Sequence, residues 1–200
     1  RGMKEAAPPP APGAPRAMAP YRTMTETLHH LDRPVIAAVD GVTFGAGFSL
    51  ALLADVVLLG EHARLSMVFA RVGLIPDCGA LCTLPRSVGL QRAKELVFSA
   101  REIGATEALR LGLALEVRTS DELLPRALAL AASWRGASAL ATSLAKQALN
   151  RAPESDLATL LDLEASGQAL AMTSDYHAEA VRRFVAKAPP LFSGDVKQSG

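Results

Sequence analysis

The stretch RPVIAAVDGVTFGAGFSLALLADVVLLG, residues 33–60, decides the fold. It opens with Val35-Ile36-Ala37-Ala38-Val39, a short apolar run with no polar alternation, which is the pattern of a strand covered on both faces. Gly41 breaks the run. A second turn through Gly45-Ala46-Gly47 leads into Phe48–Ala54, which is apolar and rich in helix formers. Val56–Leu59 then repeats the buried-strand pattern and ends at Gly60. Strand, glycine turn, buried helix and strand form a βαβ-like unit, and this predicts an α/β layout.

Upstream, residues 1–20 hold six prolines and six alanines. Proline at that density excludes helix and ladder hydrogen bonding, so an extended or mobile surface loop is expected. The chain begins at Arg1 without a methionine, which suggests a piece of a longer protein. A polar helix is expected over Tyr21–Leu31, ended by Pro34. Downstream of Pro76 the sequence reads as mostly helical. Gly89 stops one helix, Leu90–Ser99 and Thr106–Leu111 follow, and Gly112 closes the second. Leu115–Val117 reads as a last short strand. Ser120-Asp121 offers an N-cap for a helix through Trp134, and further helices are expected over Ala139–Asn150, Asp156–Met172 and Asp175–Ala186. The division is a loop over 1–20, a core over 21–135 and a helical region over 136–200.

Two hundred residues suit one domain with a real core. With 50% hydrophobic and only 4% aromatic residues, that core is built from Ala, Leu and Val. Twenty-one basic against 20 acidic residues give a net charge of +1, with no block of like charge. No nucleic acid or membrane partner is therefore expected. Cys78 and Cys82 lack the further ligands of a zinc site, so no metal is expected and both read as small core-lining residues. No apolar run reaches the length of a membrane span and no signal-peptide pattern stands at the start, so a cytoplasmic protein is expected.

The glycine turn is the first candidate site. Gly45, Ala46 and Gly47 let a ligand approach the backbone, and a helix starting there offers free N–H groups to negative charge. Packing alone also explains such a turn. It is not a P-loop, since no Gly-Lys-Ser/Thr follows, and Ser49-Leu50 breaks the dinucleotide fingerprint.

Residues 33–59, followed by LIPDCGALCTLPRSVGLQRAKELVFSAREIGATEALRLGLALEV over 74–117, resemble the crotonase (enoyl-CoA hydratase/isomerase) superfamily. The likeness continues more weakly to FVAKAPPLF at 184–192. It implies a crotonase (ClpP-like) α/β spiral of ββα units, with the N-terminal part of the fold absent and a helical C-terminal region that builds a homotrimer or a dimer of trimers. It also implies an acyl-CoA thioester substrate, with coenzyme A as part of the substrate and no further cofactor. The thioester oxygen would sit between two backbone N–H groups. The residue matching one donor is Ala46, with Gly45 beside it; the other donor falls in a motif whose tail resembles Arg1-Gly2-Met3. A chain with one donor would be nearly inactive, because each is worth about 3 kcal/mol in the transition state.

Hydratases of the family carry their two glutamates at the positions matching Ser49 and Phe69. Neither residue moves protons well at neutral pH, so both are expected to line the site. That leaves Asp77. On the residues alone it reads as an N-cap after Pro76. The resemblance gives it the acid/base role of the enoyl-CoA and phenylacetyl-CoA ring-epoxide isomerase branches, with the apolar Phe69, Leu74 and Ile75 around it and a helix start opposing their effect on basicity. Asp55 reads as structural. His29, His30, His62 and His177 lie outside the motif positions. Arg1 and Lys187 match basic positions near the coenzyme A phosphates, and Phe184 is expected to cover a neighbouring ligand or simply pack. Trp134 reads as core. The leading expectation is an isomerase; a hydratase with unusual acid/base residues and a silent acyl-CoA binder are the alternatives.

Overall fold

The computed structural model describes residues 18–194. Its central strand is β3 (Val56–Gly60), four of whose five residues are buried. It pairs in parallel with β1 (Ile36–Val39) on one side and β6 (Glu116–Arg118) on the other, with Ile36 opposite Val56 and Leu58 opposite Glu116. The second sheet is made of pieces too short to show a periodicity. In it β2 (Val42–Phe44) runs parallel to β4 (Arg64–Ser66), and β4 runs antiparallel to β5 (Ile103–Gly104). Each step along the chain therefore contributes one strand to each sheet, which is the ββα spiral.

Steric demands fix the corners. Gly41 turns the chain from β1 to β2 with a positive φ of 73°. At the equivalent corner after β3, a Cβ on Gly60 would lie 2.1 Å from Asp40 Oδ1, so only glycine fits there.

Helices close both faces of the first sheet. On one side, α2 (Ala46–Ala51), α3 (Ala80–Val88), α4 (Leu90–Ser99) and α5 (Ala105–Arg110) build the main core of Phe48, Leu59, Leu65, Met67, Leu84, Leu96 and Ile103. On the other, α6 (Ser120–Ser133) lays Leu123 and Ala127 against Leu58. Coverage of both faces is why β3 is an unbroken apolar run. β1, expected to be covered on both faces, lies instead at the edge of the sheet, with none of its residues fully buried and Ala38 exposed. Trp134, expected in the core, instead ends α6 and is half-buried.

The remaining helices lie outside this core. α1 (Ala19–His29) begins two residues before the expected Tyr21, because Pro20 sits in its first turn, where a missing N–H costs nothing. α7 (Ala139–Arg151) packs on α8 (Leu157–Met172), which is followed by α9 (Asp175–Val185). Neither α8 nor α9 buries a residue, although α8 reads LATLLDLEASGQALAM. Among the described residues no helix is long and apolar enough to cross a membrane.

Candidate active site

The glycine turn is held from below by sheet two: the Gly45 amide donates to the Ser66 carbonyl at 2.9 Å. Gly45 has φ 55° and ψ −123°, a conformation that side chains resist, and α2 starts immediately at Ala46 rather than at Phe48. The amides of Ala46, Gly47 and Phe48 belong to the first turn and have no intrahelical acceptor; Gly45 has no side chain to cap them. Gly47 is exposed and Ala46 half-exposed, so this end of α2 faces outward.

Ser49 is fully buried, and its hydroxyl donates to the Gly45 carbonyl at 3.2 Å. Phe69 stands on a 3-10 turn (Val68–Val72), with its ring 3.7 Å from where a Cβ on Gly45 would be. The structure thus brings Gly45, Ala46, Ser49 and Phe69 together, with neither Ser49 nor Phe69 offering a free acid or base.

Asp77 lies on the link between that 3-10 turn and α3. It does not cap the helix. Cys78 and Gly79 adopt left-handed conformations, with φ 48° and 81°, and Gly79 occupies the cap position before Ala80. Only the Asp77 backbone takes part, its carbonyl accepting from the Ala80 amide at 3.1 Å. Its side-chain Oδ1 is buried with no hydrogen-bond partner. The apolar surroundings expected for it are incomplete: Leu74 and Ile75 are 63% and 75% exposed in this chain. Cys78 is buried and its thiol is pushed up, first by burial and then by the Asp77 carboxylate. Cys82, expected in the core, is exposed on α3.

Asp55 performs the structural role read from its position. Its Oδ2 accepts from the Val35 amide at 2.7 Å and from Lys146 Nζ at 2.8 Å, and Lys146 donates also to the Arg33 carbonyl at 2.9 Å. This clasp ties α7 to the start of β1 and to the loop after α2. Lys146 is buried, which nothing in its neighbours along the chain signals.

The remaining candidates stand apart. Arg1 lies outside the described residues, as does the Arg1-Gly2-Met3 segment. Phe184 is 85% exposed at the end of α9, and Lys187 follows it, exposed, with φ 52°. Two cavities, of about 490 Å³ between α7 and α8 and about 540 Å³ where α1, α2, α3 and α7 meet, include none of Ala46, Ser49, Phe69 or Asp77.

Comparison with known proteins identifies the family. The family model for enoyl-CoA hydratase/isomerase matches residues 16–195. The 1,2-epoxyphenylacetyl-CoA isomerase of Escherichia coli is 38% identical over 174 residues, covering 87% of this chain and 66% of that protein. The 2,3-dehydroadipyl-CoA hydratase of the same organism is 40% identical over 168 residues, covering 84% and 66%. The chain thus spans about two thirds of the length of these relatives. A crystal structure of an enoyl-CoA hydratase/isomerase from Cupriavidus metallidurans superposes with a TM-score of 0.90 at 46% identity, covering 95% of this chain and 72% of that one. The ββα spiral, the glycine turn and the match across nearly all the described residues place the chain in the enoyl-CoA hydratase/isomerase family.

Proposed function

We propose that this protein isomerises an acyl-CoA thioester, either an enoyl-CoA or a ring-epoxide of an aryl-acetyl-CoA, with Asp77 as the proton carrier. The observation that carries the reading is the Asp77 carboxylate, whose buried oxygen is used neither as a helix cap nor in an ion pair. The Ala46 amide would stabilise the thioester oxygen as it becomes an enolate. Asp77 would take a proton from one carbon and return it to another, so that no water is consumed. Ser49 and Phe69 line the site without proton chemistry, and the likeness to the epoxyphenylacetyl-CoA isomerase supports this branch. Lys187 serves the coenzyme A phosphates, and Phe184 covers the ligand of a neighbouring subunit.

A homotrimer or a dimer of trimers is proposed with it, because α8 is apolar and buries nothing within its own chain. The hydratase reading has one support, the 40% identity to a dehydroadipyl-CoA hydratase.

The test is NMR of the full-length protein with a 3-enoyl-CoA in D2O, beside Asp77→Asn. Deuterium entering the acyl chain with the wild type alone establishes the role of Asp77. Equal exchange in both, or stable 3-hydroxyacyl-CoA as product, removes it; tight binding with no exchange leaves an acyl-CoA binder.

A further inference from the structure

Behind the glycine turn, one backbone carbonyl collects two side chains. Ala100 ends α4 in a left-handed conformation, φ 48° and ψ 25°, although it carries a Cβ, and it is buried. Such a conformation persists where the surroundings over-determine it. The Ala100 carbonyl accepts from Ser66 Oγ at 2.8 Å and from Arg71 Nη2 at 2.6 Å. Ser66 is fully buried, whereas Arg71 reaches in from the surface. Arg71 spends this bond on a carbonyl although a carboxylate stands two residues beyond it: Glu102 is bound instead by Arg64, through both of its oxygens.

The two donors bracket the segment on which the glycine turn is seated. Residues 66–71 run from the end of β4 into the 3-10 turn. At one end the Ser66 carbonyl takes the Gly45 amide at 2.9 Å. Further along, Val68 Cγ2 and the Phe69 ring stand 3.5 and 3.7 Å from where a Cβ on Gly45 would be. Gly45 is thus held by this segment at its N–H and at its α-carbon. The peptide that joins it to Ala46 is a rigid plane, so displacing Gly45 re-aims the Ala46 N–H at the start of α2.

We propose that Arg71 and Ser66 are positioning residues for the Ala46 amide: by fastening both ends of segment 66–71 to the single carbonyl of Ala100, they fix the wall that aims the oxyanion donor. The inference rests on the Ala46 amide receiving the thioester oxygen. The Arg71 end is a charge-assisted bond from a group that stays protonated, so it holds across the working pH range. The Ser66 end is a hydroxyl sealed in the core, which anchors the strand side. Aim matters at such a donor, because its effect on the transition state depends on its distance and direction to the oxygen that becomes charged.

The test reads the aim of the amide through a bound chromophore. The full-length protein is saturated with para-dimethylaminocinnamoyl-CoA, a conjugated thioester whose absorption moves to longer wavelength when its carbonyl accepts a hydrogen bond. Ala46→Pro removes the donor and should abolish the shift. Arg71→Met, which keeps the apolar stem, should lose about half of it or more, while Arg71→Lys, still a cationic donor, should keep most. Ser66→Ala should fall between these two. In the D2O exchange assay Arg71→Met is expected to lower the rate at saturating substrate about tenfold and Ser66→Ala about threefold, each with KM within about twofold. A shift that Arg71→Met and Ser66→Ala both leave intact overturns the inference even where Tm falls, because the clamp then serves only the fold. A lysine variant as impaired as the methionine one overturns it too, and if Arg71→Met does not fold, Ser66→Ala decides alone. A shift that survives Ala46→Pro, or no shift in the wild type, overturns the reading on which the inference stands and the inference with it.

Discussion

The Asp55–Lys146 clasp makes a prediction whose asymmetry comes directly from burial. The Lys146 side chain is 7% exposed and that of Asp55 24% exposed. In Asp55→Ala the ammonium stays buried with only the Arg33 carbonyl as partner, and the Val35 amide loses its acceptor. Removing one partner from a buried ion pair costs about 3–5 kcal/mol, and this case should lie near 4. In Lys146→Met the carboxylate left behind is reached by water and still accepts from Val35, so a loss of about 2 kcal/mol is expected. Once the carboxylate is gone the lysine is only a liability. The double variant should therefore cost less than Asp55→Ala alone, about 3 kcal/mol and not 6, a coupling of about 3 kcal/mol. Urea unfolding followed by the fluorescence of Trp134, the single tryptophan, measures all four proteins. In heat the Asp55→Ala loss corresponds to about 8–16 °C of Tm. Equal single-variant costs, or additivity in the double variant, would refute the reasoning.

Three further predictions follow from single positions. Arg126, and then Arg118, hold the Glu116 carboxyl down from the ordinary glutamate value to about 2 against the effect of burial. A lowered folded-state value means stability that is complete above about pH 5 and is lost as pH falls towards 2, at most about 3 kcal/mol. The stability gap between wild type and Glu116→Gln should accordingly be present at pH 7 and nearly closed at pH 2.5; a gap independent of pH contradicts this. Ala46→Pro deletes one amide hydrogen at a helix position that accepts proline, so exchange should fall about 100-fold with little change in Tm, and Ala46→Gly should remain active. Retained exchange in the proline variant would remove Ala46 as an oxyanion donor. Gly60→Ala places a Cβ against Asp40 Oδ1 and should cost more than about 2 kcal/mol, most of it recovered in an Asp40→Ala background; no recovery would locate the strain elsewhere.

The sequence made α2 and β3 legible because burial on both sides is written as unbroken apolar runs, and β1 reads the same way although, as an edge strand, it buries no residue fully. It did not reveal β2, β4 or β5. Segments such as Val42–Phe44 and Ile103–Gly104 are shorter than any period they could display. Asp77 was legible as a candidate only through the family motif. Proline followed by aspartate signals a cap, and no local rule announces that Cys78 and Gly79 will both turn left-handed and carry the helix start to Ala80. Lys146 left no sign at all, because its role depends on partners far along the chain. Residue type places Trp134 and Cys82 in the core and fails for both, because it describes averages and not positions.

The order of strands in the first sheet also sets an order of events in folding. β1, α2 and β3 are near neighbours in sequence, but β3 gains its other partner only when β6 arrives from beyond a 3-10 turn and three intervening helices. Closing so long a parallel pairing is slow, since its entropy is lost before any contact rewards it. The second cluster of Leu58, Leu123 and Ala127 has to wait for that closure, because α6 is delivered by β6. Trp134 sits at the end of α6 and is thus a clock for this last docking step. Refolding watched through its fluorescence should lag behind the growth of far-ultraviolet dichroism, which the locally wound helices supply first.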